Sequence, residues 1–314
     1  MKVGFFYDYD LTLTEEFQQT PIFRKYFGQL KEKYGINKID EYWNLCSGKD
    51  KSVIWMEQFL KDAKTTFDHL TNKQMQEEFA PLVKLAEGLP SWFERIKQYA
   101  SSLDVELENH VISAGIYPLI AGSKIFPHLD SIVSGEFLDE GKGIYKINSL
   151  VGSFGKVEHL KRICKGGDLY KDLSTEDYHI NYKNAVVFGD GQTDKDWFRY
   201  IKQRGGVALA VFKKGDKTSF DKSVSLLGSS NPAKSSVNFI LPRNYSEGSV
   251  LEEKIFQTLQ NISESEKYCD MEWRLMNDLQ LGHLKNKKVI EVITDHYMSC
   301  KYCQKKTKTE FIFE

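Results

Sequence analysis

Apolar residues along the chain alternate between short continuous runs and stretches with helical spacing. Val3 to Tyr7 is a run of aromatic and aliphatic residues with the length of a buried strand, and it ends at Asp8. From Thr14 to about Gly88 strand character gives way to helical periodicity. Glu15 to Tyr34 reads as one helix, with a break possible at Pro21 and with Phe17, Phe23, Phe27 and Leu30 as its apolar positions. Val53, Ile54, Met56, Phe59 and Leu60 mark a second helix. Met75, Phe79, Leu82, Val83 and Leu85 mark a third, which Thr71 is placed to open. The segment reads as a helical module inserted after the first strand, its aromatics forming a core rather than a ligand box.

Past Gly88-Leu89-Pro90, an amphipathic helix begins at Trp92, Phe93 and Ile96. Three more apolar runs follow: His110 to Ile112, Ala185 to Phe188 and Gly206 to Phe212, with Val237 to Leu241 as a further strand. Leu129 to Ile147 is short-period and punctuated by Gly135, Gly141 and Gly143, which suggests a small hairpin beside the main sheet. Strands alternating with helices predict an α/β fold, a doubly wound parallel sheet covered on both faces. Ligands of such sheets collect at the carboxyl ends of the strands.

The chain has 314 residues, 41% of them hydrophobic, enough for one large domain with an insert or two modest ones. A formal net charge of -1 provides no general pull towards nucleic acid or anionic membrane. No apolar run is long enough to span a bilayer, and the first residues lack the pattern of an export signal. Cys46, Cys164, Cys269, Cys300 and Cys303 are scattered and odd in number, unlike a secreted disulfide framework, so a cytoplasmic location is expected.

Candidate chemistry gathers where the strands end. Asp8 and Asp10 stand two residues apart, and carboxylates that close repel unless a cation lies between them. Mg2+ prefers oxygen ligands and commonly takes one or two carboxylates; an acidic turn with no ligand is the plainer alternative. Ser113 follows Val111-Ile112 and precedes Ala114-Gly115, a strand-to-helix turn able to present a hydroxyl and backbone N–H groups to an anion, or a serine that caps a helix. Lys156 lies in the first turn of a helix beginning at Gly155, where the dipole disfavours a cation and an anionic partner is implied; Lys142 and Lys146 are the nearby alternatives. Asp190 sits between Gly189 and Gly191, with Asp194 one helical turn further on.

Taken together, these stretches resemble the haloacid dehalogenase superfamily of hydrolases. Asp8-Tyr9-Asp10-Leu11-Thr12 is similar to its first motif, Ser113 to its second, Lys156 to its third and Gly189 to Asp194 to its fourth, all in family order. The module between the first and second motifs resembles the helical cap of the phosphoserine phosphatase-like branch, and the hairpin from Phe137 to Ile147 has a counterpart there. The resemblance implies a catalytic core over residues 1–14 and 88–262, a cap over 15–87 and an extension over 263–314. It also implies a Mg2+-dependent phosphatase that hydrolyses a small phosphorylated metabolite through an aspartyl-phosphate. Asp8 would be the nucleophile and Asp10 the general acid and base. Ser113, Ala114, Gly115 and Lys156 would hold the phosphoryl group. Asp8, Asp10 through its backbone carbonyl, and Asp190 would hold the metal, with Asp194 and Gly191 in support and Thr12 fixing the turn behind the two acids.

A phosphomutase or phosphoryl transferase would use the same acids, and a non-catalytic binding protein of this fold is a third reading. Two positions depart from the phosphoserine phosphatase pattern. Phe17 occupies the place of a substrate-binding glutamate and Leu11 that of a serine, which points away from phosphoserine. In the tail, Trp273, Leu275, Met276, Leu279 and Leu281 suggest a helix, and Val289 to Ile293 fits strand or helix. His296, Cys300 and Cys303 have metal-ligand spacing but only Cys269 as a remote fourth, so a small extension without metal is the expectation.

Overall fold

The computed structural model describes residues 1–34, 51–152, 155–174, 177–228, 235–267, 286–291 and 294. The chain forms two compact units, Met1–Phe256 and Gln257–Glu314. The division between them falls within the helix Val250–Lys267. In the second unit residues 287–291 are helical, which settles the choice between strand and helix for Val289 to Glu291. Cys46, Cys269, Trp273, Leu275, Met276, Leu279, Leu281, His296, Cys300 and Cys303 lie outside the described residues.

The first unit is built on a seven-stranded sheet of order β4-β3-β2-β1-β5-β6-β7. Its strands are β1 (Lys2–Tyr7), β2 (Glu106–Ile116), β3 (Ser131–Asp139), β4 (Ile144–Ser149), β5 (Ala185–Gly189), β6 (Val207–Phe212) and β7 (Phe239–Pro242). Every pairing is parallel except that of β3 with β4, so the doubly wound sheet expected from the strand–helix alternation is present. The central strands carry continuous apolar runs because both faces are covered: Val3 to Tyr7 and Ala185 to Gly189 are buried throughout. Removing a Phe or Val side chain from water in this way contributes about 1.5–3 kcal/mol.

The hairpin is not beside the sheet but part of it. Before turning into β4, β3 pairs in parallel with β2 from His110↔Ser131, and this long-range pairing leaves no local signal in the sequence. The first helix, α1, runs Thr20–Tyr34 and not from Glu15. Thr14 instead bridges to Leu85 and the Glu15 N–H donates to Lys84 O, pinning the two ends of the insert together before the helix begins. Pro21 then falls in the first turn, where its missing N–H is no loss.

Helix α2 (Lys51–Thr65) and the segment 72–82 are further elements among the described residues of the insert. Thr71 opens that segment through a capping box with Gln74. The aromatics of the insert form a core: Phe23, Phe27, Phe59, Phe67 and Phe79 pack with Phe137 and Ile144 of the hairpin. Among the described residues no helix is long and apolar enough to cross a membrane.

Candidate active site

Register brings the strand ends together. Tyr7 lies opposite Val111 on one side and Phe188 on the other, so the residues that follow β1 and β5 and those towards the end of β2 emerge on one edge. The Asp8 N–H donates to Phe188 O at 2.9 Å, which fixes Asp8 at the point where the chain leaves the sheet. Oxygen atoms from Asp8, Asp190 and Asp194 come within 4.8 Å of one another. Lys156 Nζ lies 2.9 Å from Asp8 Oδ1 and 2.7 Å from Asp194 Oδ1. Lys142 and Lys146, the other lysines considered for this place, are exposed.

Lys156 stands on the helix Gly155–Cys164 of the core and is buried with Trp197 on one side, its ammonium 4.9 Å from the centre of an indole ring. Burial alone would push that ammonium's pKa down, but Asp194 and Asp8 outweigh it and hold the charge in place. Asp194 is positioned by the turn after β5: its Oδ2 accepts from the N–H groups of Asp190 (3.1 Å) and Gly191 (3.3 Å). Gly189 has to be glycine here, because a Cβ would run into the Asp194 carboxylate.

The carboxylates are electrostatically crowded. Burial pushes Asp8 well above the usual carboxylate range, Lys156 opposes the shift, and Asp194 and Asp190 add to it. Burial and Asp194 likewise push Asp190 up. Three carboxyl groups gather around one ammonium, and the donor set is entirely oxygen. A divalent hard cation such as Mg2+ fits both the charge and the ligand type.

Asp10 belongs to the same loop, and its carboxyl is held by Gln18 outside the triad of Asp8, Asp190 and Asp194. Its two oxygens accept from the backbone N–H (2.7 Å) and side-chain amide (3.1 Å) of Gln18, and burial raises its pKa to about 6 against the pull of those bonds. Ser113 is buried, yet it does not cap a helix. Strand β2 continues to Ile116, and Ser113 Oγ accepts the Gly115 N–H at 3.0 Å within an irregular stretch where the pairing with β3 shifts register. Ala114 is half-buried and Gly115 buried.

The loop after β1 is held by residues the sequence did not single out. Thr12 was expected to set this turn, but its hydroxyl is buried without a hydrogen-bond partner among the described residues. Thr14 does that work: its Oγ1 accepts from Leu11 N–H (3.0 Å) and donates to Glu16 O (2.7 Å). From the far end of the unit, Arg243 donates to Leu11 O at 2.5 Å and to Glu15 at 2.8 Å, while Tyr245 Oη donates to Thr12 O at 3.0 Å. Gln18, Arg243 and Tyr245 carry no motif.

No family model and no curated protein matches the chain in sequence. Solved structures do match in fold. A phosphoserine phosphatase, described as a phospho-aspartyl intermediate analogue, aligns with a TM-score of 0.50 at 16% identity, covering 81% of this chain and 97% of that one. A phosphoserine phosphohydrolase-like protein from Francisella tularensis aligns at 0.49 and 15% identity, over 81% and 99% of the two chains. Cytosolic 5'-nucleotidase IIIB bound to cytidine aligns at 0.45 and 13%, over 83% and 85%. At such identities the likeness concerns the fold alone. With its strand order, its insert after β1 and its acids at one sheet edge, the chain has the fold of the haloacid dehalogenase superfamily hydrolases.

Proposed function

We propose that the protein is a Mg2+-dependent phosphatase, a hydrolase of phosphoric monoesters that acts on a small phosphorylated metabolite through an aspartyl-phosphate. The observation that carries this reading is the convergence of Asp8, Lys156, Asp190 and Asp194 at one sheet edge with Asp10 on the adjoining loop. Asp8 attacks phosphorus, its oxygen forming the new P–O bond as the bond to the leaving oxygen breaks. Asp10 gives its proton to that leaving oxygen and then accepts one from the water that cleaves the intermediate. A carboxyl that titrates at about 6 is suited to both halves of this cycle.

Lys156 and the 113–115 segment bind the phosphoryl oxygens, and the ammonium offsets their charge so that a carboxylate can approach. Asp8 and Asp190 through their carboxylates, and Asp10 through its carbonyl, would hold Mg2+, with Asp194 in support. When bound, Mg2+ supplies further neutralisation of the phosphoryl charge. Residues 15–87 form the cap, which covers the site and selects the leaving group. Phe17 and Leu11 keep phosphoserine from being the favoured substrate.

Asp8→Asn removes the nucleophile at nearly constant volume. Turnover of 4-nitrophenyl phosphate is expected to fall by at least about a thousandfold, with the melting temperature retained or raised because a crowded charge is gone. EDTA is expected to stop turnover in the wild type, and added Mg2+ to restore it. Activity that survives in Asp8→Asn would refute the reading. Organic product that retained the phosphate would favour a transferase instead.

A further inference from the structure

Gln18 lies outside all four motifs and is fully buried. Its backbone N–H donates to Asp10 Oδ1 at 2.7 Å, its side-chain N–H to Asp10 Oδ2 at 3.1 Å, and its side-chain carbonyl accepts the Ile116 N–H at 2.9 Å. The partners fix the amide's orientation. A backbone N–H can only donate, so the Ile116 N–H requires the amide oxygen and leaves the amide N–H for Asp10. Gln18 thus holds Asp10 by two hydrogen bonds within the loop after β1 and ties that loop to the end of β2 by a third.

The seat for this amide is shaped in advance. A Cβ on residue 115 would collide with Gln18 Nε2 and Cδ, so Gly115 is what lets the amide lie between Asp10 and Ile116. A carboxylate has about four lone-pair positions, and Gln18 occupies one on each oxygen. The plane of Asp10 is thereby set, and so are the positions left free to carry or receive a proton.

We infer that Gln18 is a positioning residue that clamps the Asp10 carboxyl in register with the 113–116 segment, so that proton delivery and phosphoryl binding are aligned by one side chain. The inference rests on the proposed phosphatase reading. In the step concerned, the Asp8–phosphorus bond forms, the bond from phosphorus to the leaving oxygen breaks, and the Asp10 proton passes to that oxygen; nothing is oxidised or reduced. How much the step depends on the proton follows from the basicity of the leaving group. Phenolate needs it far more than 4-nitrophenolate does.

The test is kcat/KM of the full chain and of Gln18→Met on phenyl phosphate and 4-nitrophenyl phosphate, two substrates of nearly the same shape. The variant is expected to lose about 100-fold on phenyl phosphate and less than about fivefold on 4-nitrophenyl phosphate, within the range ascribed to general acid catalysis. Gln18→Leu removes the same amide at similar volume; it is expected to show the same selective loss, and it carries the test if Gln18→Met does not fold. Equal losses on both substrates would reduce Gln18 to a strut and overturn the inference while leaving the phosphatase reading intact. A wild-type chain inactive on both substrates would overturn the two together.

Discussion

Leu11 holds a backbone conformation that its side chain resists. Its φ is +58°, in the left-handed region, where a β-carbon costs about 1–2 kcal/mol. It stays there because its N–H is taken by Thr14 Oγ1 and its carbonyl by Arg243, bonds that together shape the turn between Asp8 and Asp10. Asn tolerates this region better than most residues, and a β-branched residue tolerates it worst. Leu11→Asn is expected to stabilise the fold by about 0.5–1 kcal/mol and Leu11→Val to destabilise it by more than about 1 kcal/mol, read from urea unfolding midpoints. At this scale the acids themselves were legible, because Asp8, Asp190 and Asp194 each end or follow an apolar run. Which threonine shapes the turn was not: Thr12 and Thr14 differ only in which groups the folded loop brings to them.

Among the elements, the central strands were the most readable, since burial on both faces writes a continuous apolar run into the sequence. The start of α1 was misplaced because residues 15–19 keep helical spacing while long-range bonds to Lys84 and Asp10 hold them in another shape. The hairpin's place at the sheet edge was hidden for the same reason. The segment from Thr71, by contrast, announced itself locally. Thr71 Oγ1 accepts the Gln74 N–H at 3.0 Å, and Gln74 Oε1 accepts the Thr71 N–H at 2.9 Å. Asn72 N–H also donates to Asp139 of β3 at 2.7 Å, so the cap start is anchored to the sheet. Thr71→Ala is expected to cost about 1 kcal/mol in urea unfolding, with little effect on kcat because the site residues are untouched.

Across the whole first unit, polar and ionic contacts join segments far apart in the chain. Glu108 on β2 lies 2.7 Å from Lys2 on β1, 2.9 Å from His179 and 3.3 Å from His110. His110, then Lys2 and His179, hold its carboxyl well below the usual range against the opposing effect of burial. A carboxyl whose pKa is depressed by folding adds stability above its unfolded value, near 4.5, and loses it as the pH falls towards the folded value. Glu108→Gln is therefore expected to lower the melting temperature most near neutral pH, by an amount worth about 1–2 kcal/mol, with the gap to wild type closing below about pH 4. A gap that stayed constant down to pH 3 would contradict this assignment.

Arg243 and Tyr245 brace a loop whose own residues were made more than two hundred positions earlier. On the ribosome, Asp8 and Asp10 are made well before the groups that steady their turn. A nascent chain halted before residue 243 would thus carry every proposed catalytic side chain and still lack these braces, so chemical competence is expected to arrive late in synthesis, when the guanidinium closes the ring.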